Sequence, residues 1–115
     1  MFHRAVPLDL VAEGRSHGVV LGGWPVVICR ADGALHALID RCSHADSPLA
    51  CGRVRGGSLI CPLHGARFEV ASGRCIGRPA MIGVRRFETR IHDGWLEVDL
   101  PDRTPNEADL LGVAS

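Results

Sequence analysis

The sequence has no lysine, no tyrosine and no run of 18 apolar residues, and its large aromatic side chains amount to three Phe and two Trp. Without a long apolar run, no membrane-spanning helix is expected. The missing lysine leaves arginine as the whole basic complement, which reads as a bias of the coding genome rather than a functional device. The 13 basic side chains are balanced by 13 acidic ones, and this neutrality argues against a general nucleic-acid binder. The first residues also lack an export pattern. Asp9 and Glu13 interrupt any apolar stretch there and no twin arginine occurs among these first residues, so a cytoplasmic protein is expected.

With 115 residues and 46% hydrophobic content, the chain is expected to form a single domain over 1–115 with its own core. That length leaves no room for a redox module plus a separate catalytic domain. Charge is unevenly spread. Residues 41–86 hold eight Arg against Asp46 and Glu69, a net of +6. Residues 87–115 hold two Arg against seven acids, a net of −5. A basic middle therefore runs into an acidic end.

Helical periodicity is weak, and short apolar or β-branched runs bounded by Gly, Pro or Asp predict strands instead. They fall at Phe2–Val6, His17–Leu21, Pro25–Arg30, Leu35–Asp40, Gly52–Arg55, Ser58–Ile60, Phe68–Val70, Arg85–His92 and Trp95–Leu100. Asp32-Gly33 and Asp93-Gly94 predict tight hairpin turns. Asp9–Gly14 is expected to form a short helical turn. Residues from about 101 to 115 are expected to be an acidic tail or one short helix over Glu107–Leu111. The result is an all-β fold, a sandwich or small barrel.

Two stretches do not read as strands, Arg41–Cys51 and Cys61–Gly65. The first contains Cys42-Ser43-His44 and the second Cys61-Pro62-Leu63-His64. Each supplies one thiolate and one imidazole, a donor set that suits an iron–sulfur cluster or zinc. Zinc sites usually take both cysteines from one knuckle and both histidines from another. Mixed pairs on two loops favour a two-iron cluster clamped from opposite sides. His3, His17, His36 and His92 lack partners at ligand spacing and are expected to be ordinary strand or surface residues. Cys29, in an apolar run, is expected to be a buried thiol. Cys51 and Cys75 flank the two loops and are expected to stay thiols in a reducing compartment. Trp24 and Trp95 are expected to fill the core.

The C-x-H and C-x-x-H pairs resemble the Rieske family, in which two histidines replace two cysteines on one iron of a [2Fe–2S] cluster. The resemblance implies an antiparallel β-sandwich carrying a small cluster-binding subdomain of projecting loops, about residues 41–80. It assigns Cys42 and Cys61 to an inner iron, His44 and His64 to an outer one, and a covering role to the proline loop Gly77-Arg78-Pro79-Ala80. With all four ligands supplied by protein, an electron-transfer role rather than catalysis is implied. The chain is similar to free-standing Rieske ferredoxins, which take electrons from a flavin-dependent ferredoxin reductase and pass them to a terminal oxygenase of an aromatic-ring dioxygenase system. Two alternatives stand beside it: a small subunit of an assimilatory nitrite reductase, and a zinc-stabilised binding module without redox role. The basic middle is expected to help dock an acidic partner through Arg41, Arg67 and Arg78. A low potential is also implied. High-potential relatives join their loops by a disulfide, where this chain has Ser47 and Leu63. They also donate Ser and Tyr hydroxyls to the cluster sulfurs, where it has Ala66 and Phe68.

Overall fold

The computed structural model describes residues 1–43, 47–62, 65–76, 82–111 and 113–114. The strands arise where the apolar runs stood in the sequence. β1 (Phe2–Pro7), β2 (Ser16–Leu21), β3 (Trp24–Ala31) and β4 (Ala34–Ile39) come first. A short 3₁₀ turn (Leu49–Cys51) precedes β5 (Arg53–Arg55), β6 (Ser58–Ile60) and β7 (Arg67–Glu69). Then follow β8 (Ile82–Gly83), β9 (Arg86–Phe87), β10 (Thr89–His92), β11 (Trp95–Asp99), one helical turn α1 (Glu107–Leu110) and β12 (Val113–Ala114).

Four sheets result, ordered β2-β3-β4-β9, β1-β11-β10, β5-β6-β7 and β12-β8. Every pairing is antiparallel. β3 is buried along nearly its whole length, as its Val26-Val27-Ile28-Cys29 run requires of a central strand. Trp24, Val26, Ile28, Leu38, Val98 and Leu100 belong to one continuous core that also takes in Cys42, Leu49, Cys61 and Phe68. The cysteine loops are thus rooted in the same core as the large sheet. Both Asp-Gly pairs form the expected hairpin turns. Asp32 and Gly33 have φ of 53° and 79°, and Asp93 and Gly94 of 52° and 78°, the left-handed pair that matches strand twist.

Four expectations need correction. Arg85–His92 is not one strand. Its first part pairs with β4 and its second with β11, so the chain changes sheets at Glu88. Asp9–Gly14 forms two successive turns rather than a helical one, closed by Leu10 N–H to Pro7 O (3.1 Å) and Arg15 N–H to Ala12 O (3.0 Å). The C-terminal residues make the expected short helix but are not a free tail, because β12 returns to pair with β8. Trp24 is fully buried, edge-on to Phe87 at 5.9 Å. Trp95 is only half-buried, its ring covered by the Arg4 guanidinium at 5.4 Å.

Candidate metal centre

The two loops that carry the Cys/His pairs are closed in the same way. Cys42 donates its backbone N–H to Ser47 O (2.9 Å), and Cys61 donates its own to Ala66 O (2.8 Å). Each cysteine thus starts a loop that returns to bond it five residues later, with the motif histidine inside. In the second loop Gly65 also donates to Cys61 O (3.1 Å) and takes φ +74°, a left-handed conformation that favours glycine. Both cysteines are almost wholly buried, Cys42 at 2% and Cys61 at 1% exposure. His44 and His64 lie outside the described residues, as do Leu63 and the Gly77–Ala80 loop.

The surroundings hold the two loops in register. Ala50 donates its N–H to the Asp40 carboxylate at 2.7 Å, fastening the first loop to the end of β4. Gly52 packs so closely on β6 that a Cβ there would lie 1.9 Å from the Ile60 carbonyl oxygen. The exit of the first loop therefore rests on the residue just before Cys61. Only glycine permits that approach, although the Gly52 φ of −87° is ordinary. Ser43, next to Cys42, donates its hydroxyl to Ile82 O. Ser47 is buried without a thiol, and Ala66 and Phe68, both at 0% exposure, bring no hydroxyl to the floor of the second loop.

Two buried thiols that start equivalent loops fit a sulfur-ligated iron centre. The other thiols contrast with them. Burial, and secondarily the Asp40 charge, push the Cys29 thiol up to about 12, so it stays protonated in the core as expected. Cys75 is half-buried in a bridge opposite Phe68. The Cys51 side chain lies outside what the structure describes. Among the other histidines, His36 faces Cys29 across β3–β4. Burial first, then the Arg86 charge, lower its pKa. His17 is exposed, and exposed His92 lies 3.2 Å from Asp93. Apart from the motif histidines, which are not described, no group of three or more His, Cys, Asp or Glu gathers at metal-binding distance among the described residues.

Of the arginines picked out in the sequence, Arg41 adjoins Cys42 and is half-buried. Arg78 lies outside the described residues, and Arg67 is exposed on β7. Arg53 and Arg55, which the sequence did not single out, project from the edge strand β5 into a groove of about 420 Å³ that reaches Cys61, Pro62 and Gly65. The adjoining groove adds Arg15 and Ser16 from the edge of the large sheet. No described carboxylate lines either groove. By contrast Arg85, Arg86, Arg90 and Arg103 are all ion-paired to acids. Arg15 could not have been found from local charge runs, since it is 38 positions from Arg53 in the chain and is brought there by the β2 edge.

An antiparallel β-sandwich in which two like loops, each with a Cys/His pair in its sequence, bury their cysteines defines a small iron–sulfur protein. This chain belongs to the family described as the Rieske [2Fe-2S] domain, whose model matches residues 2–88. One Rieske-type [2Fe–2S] cluster is therefore its cofactor. The anthranilate 1,2-dioxygenase ferredoxin subunit of Burkholderia cepacia is 31% identical over 99 residues, spanning 86% of this chain and 92% of that protein. The solved Sphingomonas yanoikuyae B1 ferredoxin superposes with a TM-score of 0.83 at 25% identity, covering 88% of this chain and 100% of that one. Dicamba monooxygenase superposes with a TM-score of 0.77 at 26% identity, covering 95% of this chain but only 35% of that enzyme. The dioxygenase-system relatives spanned nearly end to end are named as ferredoxins, electron carriers rather than catalysts. A protein provisionally named as a nitrite reductase small subunit, from Mycobacterium tuberculosis, shares the fold, with a TM-score of 0.74 at 24% identity over 85% of this chain and 93% of that one. No described helix is long and apolar enough to cross a membrane.

Proposed function

We propose that this chain is a cytoplasmic one-electron carrier, a single Rieske domain with its cluster-binding subdomain at about 41–80. It would accept electrons from a flavin-dependent ferredoxin reductase and deliver them to a Rieske-type terminal oxygenase of an aromatic-ring dioxygenase system. One observation carries the reading: ferredoxin relatives are matched over almost their whole length and the oxygenase over a third of its own.

Cys42, His44, Cys61 and His64 are the proposed ligands, with the thiolates on one iron and the imidazoles on the other. Bound there, the cluster supplies reversible one-electron chemistry. The chain does the rest. The loops closed by Ser47 and Ala66 hold the two cysteines in the core and exclude water from their sulfurs. Asp40 and Gly52 fix the first loop against β4 and β6. Ala66 and Phe68 withhold hydroxyl donors, which favours the oxidised state and a low potential. The arginines at 15, 53 and 55, which have no ion pair among the described residues, offer a basic face beside the second loop for an acidic partner surface.

Single replacement of Cys42, His44, Cys61 or His64 by Ala should abolish normal cluster assembly, read as iron and sulfide content and the visible spectrum. Cys29→Ala should leave the spectrum intact. Oxygenase turnover from NADH through a flavin reductase should depend on the intact protein. Turnover with a nitrite reductase alone, or a native spectrum in His64→Ala, would overturn the reading.

A further inference from the structure

The family match ends at residue 88, and beyond β11 the chain packs back onto the sandwich. From Pro101 it crosses the Trp24 end of the large sheet, where the indole N–H donates to Arg103 O at 2.7 Å. Arg103 and Arg85 lie over the same indole, at 5.5 and 5.1 Å. Both reach Asp109: Arg103 with two bonds of 2.5 and 3.0 Å, Arg85 with one of 3.3 Å. Asp109 also accepts the Asn106 N–H (2.8 Å), while the Asn106 side chain accepts the Asp109 N–H (3.0 Å). The Arg103 bonds, followed by the Asn106 N–H, hold the Asp109 carboxyl well below the usual carboxylate range.

This clamp sets where the chain goes next. A four-residue helix has no stability of its own, and a pairing of two-residue strands has little. β12 can therefore stay on β8 only if the chain leading to it is anchored, since anchoring raises its effective concentration there. Asp109 is that anchor, and Arg85 ties it to the large sheet through the bond from Ile39 N–H to Arg85 O (2.8 Å). β12 then pairs Val113 with Gly83 and Ala114 with Ile82. Ile82 is the residue whose carbonyl accepts the Ser43 hydroxyl, beside Cys42. The next residue, Val84, donates to Gly73 O at 2.7 Å, so the segment has this bond and β12 as its supports.

We propose that Asp109 is a positioning residue for the first cysteine loop, acting through β12 and the Ile82–Gly83 strand on Ser43. The proposal rests on Cys42 being a cluster ligand only for its consequence at the iron. The contact path itself is a property of the protein without metal.

Two variants test it: Asp109→Asn, which keeps the shape and removes the charge, and a chain ending at Leu111, which keeps the clamp and removes β12. Asp99→Asn, which breaks only the pair with the N-terminal ammonium, serves as control. Amide hydrogen exchange on cluster-free protein should quicken several-fold at Ile82, Gly83 and Cys42 in both test variants and not in the control. In cluster-loaded protein both should lose colour to an iron chelator several-fold faster, with a shifted reduction potential and electron paramagnetic resonance line shape. Combining the two should add nothing to the truncation alone. Faster exchange at Gly83 with unchanged exchange at Cys42 would overturn the proposal. So would wild-type exchange in the truncated chain. Altered exchange with an unaltered potential and bleaching rate would contradict the link to the iron while leaving the carrier reading in place.

Discussion

The two cysteine loops share one closing bond but differ in what holds them. The loop at Cys61 is the tip of a hairpin, and its own strands fix it through the pairs Ile60–Arg67 and Leu59–Phe68. The loop at Cys42 is longer and, besides Asp40 at its base, depends on distant chain: Ile60 under Gly52 and Ile82 against Ser43. One half of the proposed ligand set is local and the other leans on two further segments. The difference teaches where the site is vulnerable. Changes far along the sequence should reach Cys42 long before they reach Cys61.

Exchanging glycines in the two loops breaks this comparison most severely. Gly52→Ala drives a Cβ into the Ile60 carbonyl, and overpacking of this kind costs about 1–3 kcal/mol or more. Gly65→Ala meets no neighbour within 4 Å and suffers only the left-handed penalty of about 1–2 kcal/mol. Denaturant titration should therefore rank Gly52→Ala as the less stable, and its cluster yield should fall further. Equal losses would show that the first loop does not depend on the Ile60 contact.

The floor of the second loop comes next. Ala66→Ser and Phe68→Tyr each offer a hydroxyl to the cluster sulfurs. A bond to a charged acceptor is worth about 1.5–3 kcal/mol, and for one electron this raises the midpoint potential by tens of millivolts or more. Voltammetry should place the unaltered protein below about 0 mV, in the lower part of the span of about −150 to +300 mV. The potential should then rise with each hydroxyl. A value near the top of that span would mean that Ala66 and Phe68 do not control it.

How much of this was legible in the sequence follows from the same contrast. The strands, both Asp-Gly hairpins and the family could be read because each is written in adjacent residues. Local chemistry is visible in local sequence. The pairing of β12 with β8, the division of Arg85–His92 between two sheets, and the role of Gly52 were not legible. Each depends on a partner far along the chain. Gly52 carries no positive φ or turn signature, and only the Ile60 carbonyl explains it. The basic face was half legible. Net charge pointed to the middle of the chain, but the β2 edge brings in Arg15 from outside it.

That face yields the smallest expected effect. Arg15→Gln, Arg53→Gln and Arg55→Gln together should slow electron transfer to an acidic partner several-fold at low salt. At physiological ionic strength, where the screening length is about 8 Å, the difference should shrink. Identical salt dependence in the variant and the unaltered protein would place docking elsewhere.

The proposed ligand set requires one histidine from each loop to bind the same iron. Nitrogen electron–nuclear double resonance on the reduced protein, prepared with ¹⁵N-histidine, tests it most directly. Two strongly coupled imidazole nitrogens are expected, with normal cluster assembly lost in both His44→Ala and His64→Ala. A reduced cluster with no histidine coupling, or one whose couplings survive both substitutions, would contradict it.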